Sequence, residues 1–374
     1  MRVALVHDYI REFGGAERVL LALSEIWPEA PIYTAFYRKG SPAWERFKDR
    51  DIRVSWAHHV PFFSTKLHSP LRFLAPAIWN SFSLREYDIV ISSASWYITK
   101  GFGTRGTERK NPIEICYCHT PPRWLYGYAT SKEWQRYAPI RAYAAAVGFF
   151  MRQYDFRAAQ RVDHFIANSE ETARRIKKFY RREATVIYPP IESQKSKVKS
   201  QKSNLSKKNT KSYYLVVGRL AQSKNIELAI LAANSEKFPL HIVGTGPDEA
   251  RLKQLAGPTV TFMGYQSDEK VRGLYGEAKA FLALASDEDF GMTPVEAMAE
   301  GTPVVAYRGG GYVESVVDGK TGVLFDELTT DGLLVALDRL ETVNIEPKDC
   351  IRQAEKFSKE RFVREMKKFV TEQI

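Results

Sequence analysis

Short apolar runs alternate with helical stretches along this chain, and the alternation occurs twice. Before residue 193 the runs RVALVHDY, YDIVISSAS, IEICYCHT, DHFIANS and ATVIYPPIE are separated by stretches such as AERVLLALSEIW, with Val19, Leu20, Leu23 and Trp27 on one helical face, and EETARRIKKFY. After residue 211 the runs YYLVVGRL, PLHIVGTG, VTFMGYQ, AFLALAS, PVVAY and GVLF are separated by NIELAILAAN, DEARLKQLAG, KVRGLYGEAK and TPVEAMAEG. Strands that read as continuous apolar runs, each followed by a helix, imply a parallel sheet covered on both faces. At 374 residues the chain exceeds one ordinary core and suits two. The expected fold class is therefore α/β: two Rossmann-like, doubly wound parallel-sheet domains facing a central cleft. Their expected extents are 1–192 and 212–357, with an insert at 193–211 and a terminal helix over 358–374.

The insert, SQKSKVKSQKSNLSKKNTK, carries seven lysines and no acid, and it reads as a flexible linker. Removing its seven positive charges from the net +11 leaves +4, so the folded domains carry no strong basic bias and nucleic acid is not an expected partner. Weak attraction to anionic lipid headgroups suits the insert better. The three cysteines, Cys116, Cys118 and Cys350, are too few for a disulfide framework or a four-ligand zinc site. The start, MRVALVHDYI, reads as a strand and not as a signal peptide. The run AYAAAVGFFM, Ala142 to Met151, is about half the length of a bilayer span. A cytoplasmic protein is expected, with contact at the inner face of the membrane.

Ligands of doubly wound sheets bind at the carboxyl ends of the strands. Candidate residues fall there. Gly14 and Gly15 follow the first strand and open its helix, with Glu17 in the first turn; a diglycine lets backbone N–H groups approach a phosphate. Arg219 and Lys224 flank the first strand-to-helix turn of the second half, where two cations suit a diphosphate. Gly244, Gly246, Met263 and Gly264 end the next two strands, where small residues would let a flat base lie against backbone. Glu288 and Glu296 follow AFLALAS, eight residues apart, and carboxylates suit the hydrogen bonds of a vicinal diol. A structural reading competes at Glu296: Thr293 as N-cap, Pro294 at the first helical position and Glu296 closing a capping box.

The spacing of Glu288 and Glu296 in EDFGMTPVE resembles the signature of retaining glycosyltransferases with two Rossmann domains, the GT-B fold. PVEAMAEGTPVVAYRGGGYVESVVDGKTGVLF resembles glycosyltransferase family 4, and GGAERV, DIVISSAS, KGFG and ICYCHTPPRWLY resemble its bacterial mannosyltransferase-like members, which build lipopolysaccharide O-antigen and other surface polysaccharides. The resemblance implies that Arg219 and Lys224 stabilise the leaving diphosphate, Glu296 binds ribose and Glu288 orients the transferred hexose. It places backbone N–H groups of Phe290, Gly291, Met292 and Thr293 against sugar and diphosphate, brings Gly14 and Gly15 to the diphosphate, and sets His119 near the reacting centre. GDP-mannose is the implied donor, with a glycan or lipid-linked acceptor, and the C-terminal helix would pack back across the first domain. Arg123, Trp124 and Tyr126 in TPPRWLYGY would line the acceptor side, and the aromatic-rich segment His58 to Phe82 would either pack a helix inward or rest on the membrane. The Asp287-Glu288-Asp289 run mimics a metal-binding D-x-D, but with two cations at the diphosphate no essential metal or other cofactor is expected. A phosphorylase or a nucleotide-sugar epimerase of similar fold, or a silent sugar-nucleotide-binding protein, are the alternatives.

Overall fold

The computed structural model describes residues 1–105, 112–130, 137–192 and 212–373; the lysine-rich insert lies outside the described residues. The chain divides into two compact units, one of Met1–Tyr128, Trp134–Pro190 and Glu360–Ile374, the other of Ala129–Glu133 and Ile191–Lys359.

The first unit holds a seven-stranded sheet. Its strands are β1 (Val3–His7), β2 (Ile32–Thr34), β3 (Ile52–Val54), β4 (Ile89–Ala94), β5 (Ile113–Cys118), β6 (His164–Ala167) and β7 (Thr185–Val186), in the spatial order β3-β2-β1-β4-β5-β6-β7. All adjacent pairs are parallel. Side chains alternate across a strand, so one sequence feeds two cores. Leu5, Ile32, Ile89, Ile91 and Ile115 pack against Val19, Leu20, Leu23 and Ile26 of helix Gly15–Ile26 on one face. Ala4, Val6, Tyr33 and Val90 face the other way, toward Ile78, Trp79, Met151 and Ala158.

The second unit holds six parallel strands: β8 (Tyr214–Val217), β9 (Leu240–Val243), β10 (Val260–Gly264), β11 (Ala280–Ala283), β12 (Val304–Tyr307) and β13 (Gly322–Phe325), ordered β10-β9-β8-β11-β12-β13. Tyr214, Leu240, Leu282, Val305 and Val323 share a core with Ala229, Ile230 and Ala233 of helix Ile226–Glu236 and Leu333, Ala336 and Leu337 of helix Thr330–Thr342. In both sheets the winding reverses once, between β1 and β4 and between β8 and β11. The loops that leave those strands therefore diverge and open a crevice.

Several elements differ from the sequence expectation. Strands β2 and β3, three residues each, carry too little periodicity to stand out. The apolar run at 142–151 lies within a 24-residue helix, Ala138–Arg161, and no helix among the described residues is long and apolar enough to cross a membrane. The aromatic segment is not one helix. It is a chain of short turns at Trp56–His59, Phe63–Leu67 and Arg72–Leu74 leading into helix Ala75–Asn80, because Pro61, Pro70 and Pro76 interrupt any longer one.

The last helix, Lys359–Glu372, returns the chain to the first unit. Phe362, Met366 and Val370 recur every four residues, are buried, and join the cluster of Leu5, Ile115 and Tyr117, with the Phe362 and Tyr117 rings 5.9 Å apart. Six of the seven tryptophans, Trp27, Trp44, Trp56, Trp79, Trp96 and Trp124, lie in the described part of the first unit and none follows residue 134, so tryptophan fluorescence reports chiefly the first unit. Phe362→Ala is expected to lower the tryptophan-detected urea midpoint of the whole chain, at a cost of about 3–5 kcal/mol. An unchanged midpoint would remove this helix from the first unit's core.

Candidate functional site

In the second unit the crevice at β8 and β11 is lined by Gly218, Arg219, Lys224, Ile226, Ala283, Leu284, Thr293 and Tyr312, among others. Arg219 is exposed just past β8. Lys224 sits in a short turn whose end, Asn225, is held by its side-chain amide donating to the Leu284 carbonyl at 2.9 Å. That bond brings the Lys224 ammonium to the Glu288 carboxylate, and the two form an ion pair. The Tyr312 hydroxyl donates to the same Glu288 oxygen at 3.3 Å. Residues named separately in the sequence thus meet in one recess: two cations, one carboxylate and a helix start.

Helix Met292–Ala299 begins earlier than the sequence implied. Its N-cap is Gly291, at φ 83°, not Thr293, and no side chain caps it. Glu296 therefore closes no capping box; its carboxylate accepts from the Tyr275 hydroxyl at 3.1 Å. Phe290 turns inward to within 5.3 Å of the Phe357 ring, leaving backbone as the part of Phe290 to Thr293 suited to a ligand.

Two of the glycines have a structural cause. A Cβ on Gly244, at φ 127°, would lie 1.9 Å from the Gly218 carbonyl oxygen, so the close approach of β8's end requires a glycine there whether or not a ligand binds. Gly264, at φ 64°, has open space around it, whereas the Met263 carbonyl accepts from the Gln266 amide at 2.5 Å. Sequence reasoning assigned no role to Gly309, Gly310 and Gly311. The Gly311 amide donates to the Glu288 carbonyl at 2.9 Å, and a Cβ on Gly310, at φ 56°, would come within 2.2 Å of that carbonyl oxygen. The triple glycine lets the loop after β12 lie directly on the loop carrying Glu288. The signal that could have found it was the run of three itself, at a strand end.

In the first unit His119 follows β5 and is 8% exposed. Its Nε2 lies 2.8 Å from Ser93 Oγ, which lies 3.0 Å from Nδ1 of His7. Burial, reinforced by the neighbouring His7, pushes the His119 imidazole down to about 3, so it is neutral through the physiological range. Gly14 and Gly15 open helix Gly15–Ile26, but the Gly14 amide is committed to the Glu17 carboxylate at 2.9 Å. It is therefore not the phosphate donor expected of it, and Gly15 is the remaining member of the pair. The KGFG loop is likewise committed: amides of Gly101, Phe102 and Gly103 donate to the buried Glu114 carboxylate at 2.7–2.9 Å.

The acceptor-side residues divide. Arg123, Trp124 and Tyr126 share the short helix Arg123–Tyr126. Tyr126 points into structure: its ring stacks on Phe179 at 4.0 Å and its hydroxyl donates to the buried Asp155 at 2.6 Å. Trp124 donates to the Trp96 carbonyl at 3.1 Å, with the Arg72 guanidinium 4.7 Å from its ring centroid. All three cysteines are buried thiols outside any disulfide. Among the described residues no group of three or more histidines, cysteines or acids is placed to hold a metal ion.

Residues 13–195 match the family described as Glycosyltransferase Family 4, and residues 197–357 match Glycosyl transferases group 1. A GDP-mannose-dependent alpha-mannosyltransferase of Mycolicibacterium smegmatis is 38% identical over 122 residues, which is 32% of this chain and 31% of that relative. The alpha-1,3/1,6-mannosyltransferase ALG2 of Mus musculus is 25% identical over 96% of this chain and 93% of its own. Among solved structures, sucrose-phosphate synthase from Thermosynechococcus elongatus superposes with a TM-score of 0.71 at 18% identity, covering 100% of this chain and 99% of the other. Anabaena HepE in complex with UDP-glucose superposes at 0.68 and 16% identity over 100% of both chains.

Gly310→Ala is expected to displace the Glu288 loop, since neither its φ nor the facing carbonyl tolerates a Cβ. A loss of at least about 1–3 kcal/mol follows from the backbone conformation alone. Thermal unfolding of the second unit, followed by hydrogen exchange at the amides of 286–291, measures it. Unaltered exchange there would show that the glycine run does not support the loop.

Proposed function

Because this chain belongs to glycosyltransferase family 4 and has the GT-B fold, we propose that it is a retaining, metal-independent mannosyltransferase. It takes mannose from GDP-mannose and passes it to a glycan or lipid-linked acceptor in the synthesis of a surface polysaccharide. The observation that carries this is the recess at the β8–β11 crevice, where Lys224 is paired to Glu288 beside Arg219. Arg219 and Lys224 supply two positive charges for the diphosphate. As the bond from the anomeric carbon to the phosphate oxygen breaks, negative charge grows on that oxygen, and fixed cations stabilise it. The acceptor hydroxyl attacks the anomeric carbon from the same face and gives its proton to the departing phosphate oxygen. Configuration is retained and no separate base is needed. Glu288, released from Lys224 by the diphosphate, orients mannose; Glu296, turned by Tyr275, binds the ribose diol. The choice of GDP-mannose rests on the sequence relatives, whose names specify that donor or mannose transfer.

A membrane-facing surface fits a lipid-linked acceptor. Phe62, Phe73, Tyr143, Phe149 and Phe150 are exposed on the 56–80 segment and helix Ala138–Arg161, together with Lys66, Arg141 and Arg152. The Tyr143 hydroxyl donates to the Pro70 carbonyl, joining the two segments. Aromatic rings among basic side chains suit the interface of an anionic bilayer.

Thermal unfolding with GDP, UDP, ADP and their sugars tests the donor. A ligand at about a hundred times its Kd adds about 2.7 kcal/mol. A shift selective for GDP or GDP-mannose, unaffected by EDTA and absent in Arg219→Ala, is expected; a UDP-selective shift would move the donor assignment, and no shift with any nucleotide would leave a silent protein. The surface is tested by co-sedimentation with phosphatidylglycerol-rich and pure phosphatidylcholine vesicles. Binding to the former only, lost in a Phe149→Ser, Phe150→Ser double variant, is expected, and equal recovery of both proteins in the supernatant would remove the surface.

A further inference from the structure

Three neighbouring strand ends of the first unit carry one line of polar side chains. His7 at the end of β1 is opposite Ser93 on β4, and Ser93 is opposite Tyr117 on β5. The period of two along a strand puts His119 on the same face as Tyr117. Hence Nε2 of His119 meets Ser93 Oγ at 2.8 Å, and Ser93 Oγ meets Nδ1 of His7 at 3.0 Å. Beyond His7 stands Glu17, whose Oε1 is 3.6 Å from His7 Nε2 and whose Oε2 accepts from the Gly14 amide at 2.9 Å. His7, Ser93 and His119 are all buried, and His7 Nε2 makes no hydrogen bond, facing only the longer approach of Glu17.

The direction of this line follows from proton counting. A carboxylate has acceptors only, and a serine hydroxyl has one proton. A lone pair on His7 Nε2 would oppose the Glu17 carboxylate in a buried place, so the His7 proton belongs on Nε2. His7 Nδ1 is then an acceptor and takes the Ser93 proton. Ser93 Oγ in turn accepts from Nε2–H of His119. His119, a neutral imidazole, is left with a bare lone pair on Nδ1, for which no hydrogen bond exists among the described residues.

We propose that Glu17, His7 and Ser93 are positioning residues that fix the tautomer of His119, so that its Nδ1 accepts a hydrogen bond from a hydroxyl of a sugar bound at these strand ends of the first unit. The proposal rests on the transferase reading for the identity of that hydroxyl, and on this geometry alone for the tautomer. It also explains why the Gly14 amide is turned to Glu17: one carboxylate closes the diglycine turn with one oxygen and orients the imidazole line with the other.

The test uses the full chain with 15N-histidine, reading the ring nitrogens of its seven histidines, with His119→Asn to assign the signal. In the unaltered protein His119 should be the Nε2–H tautomer. Glu17→Gln keeps an oxygen for the Gly14 amide and turns an NH2 toward His7, which should reverse every bond and move the His119 proton to Nδ1. Turnover of GDP-mannose should then fall about tenfold or more in kcat with donor KM little changed, the pattern of an interaction made in the transition state. Ser93→Ala should leave both tautomers populated with a similar loss, and Ser93→Thr, which retains the hydroxyl, should restore both readouts. An Nδ1–H tautomer in the unaltered protein, or ring shifts unmoved by Glu17→Gln, overturns the relay. A switched tautomer with unchanged kcat overturns the sugar contact. Should the unaltered chain turn over no sugar nucleotide, the transferase reading falls and takes the sugar contact with it, while the ring shifts still decide the relay.

Discussion

The reversal of winding in each parallel sheet is the constraint from which the rest follows. A crossover between parallel strands is right-handed, so helices on the two sides of β1, and of β8, leave in opposite directions. At that point alone the strand ends are not covered by their own connections. The charged and polar groups singled out stand at, or just beyond, the carboxyl ends of the strands at or next to the reversal: His7, Glu17, Ser93 and His119 around β1, β4 and β5, and Arg219, Lys224, Glu288, Glu296 and Tyr312 around β8, β11 and β12. Away from those ends the central strands are buried and largely apolar.

Burial then dictates how those groups are held. A polar side chain at a covered strand end has to be satisfied by a neighbour, because water cannot reach it. In the first unit the neighbours are arranged in line, and the neutral His119 imidazole suits that arrangement. In the second the crevice is wetter, Lys224 being about a third exposed, and opposite charges neutralise one another instead. Such an ion pair contributes little to stability once solvent screening is counted. That is consistent with a pair formed to be exchanged.

The fold was legible because buried parallel strands announce themselves as apolar runs; only β2 and β3, at three residues, were too short to do so. Candidate site residues could be named where chemistry fixes the residue type, as for Arg219, Lys224 and Glu288, while His119 was named from the resemblance. What was illegible was the partnership. That the Gly14 amide faces Glu17, that Tyr275 turns Glu296, and that Tyr126 is bound to Asp155 depend on register and side-chain direction, which spacing alone does not encode. Glycines misled most. Gly244 is a glycine because a Cβ there would meet the Gly218 carbonyl, while Gly309 to Gly311, given no role in the sequence, form the seat of Glu288.

The choice of lysine at 224 follows from the same geometry. Glu288 offers its carboxylate to Tyr312 as well as to the cation, so the cation bound there must be able to leave without unmaking the loop. A guanidinium grips a carboxylate through a planar fork of two parallel bonds, which would hold Glu288 in one orientation and resist transfer. An ammonium is a point charge on a flexible stem; rotation about that stem carries it from a carboxylate to a diphosphate with little change elsewhere. Arg219 has the complementary position, exposed at the mouth of the same recess, where a fork suits phosphate oxygens directly. On the proposed function, one cation that stays and one that is handed over make a site in which Glu288 offsets the lysine when the recess is empty, and in which both positive charges turn to a diphosphate when it binds.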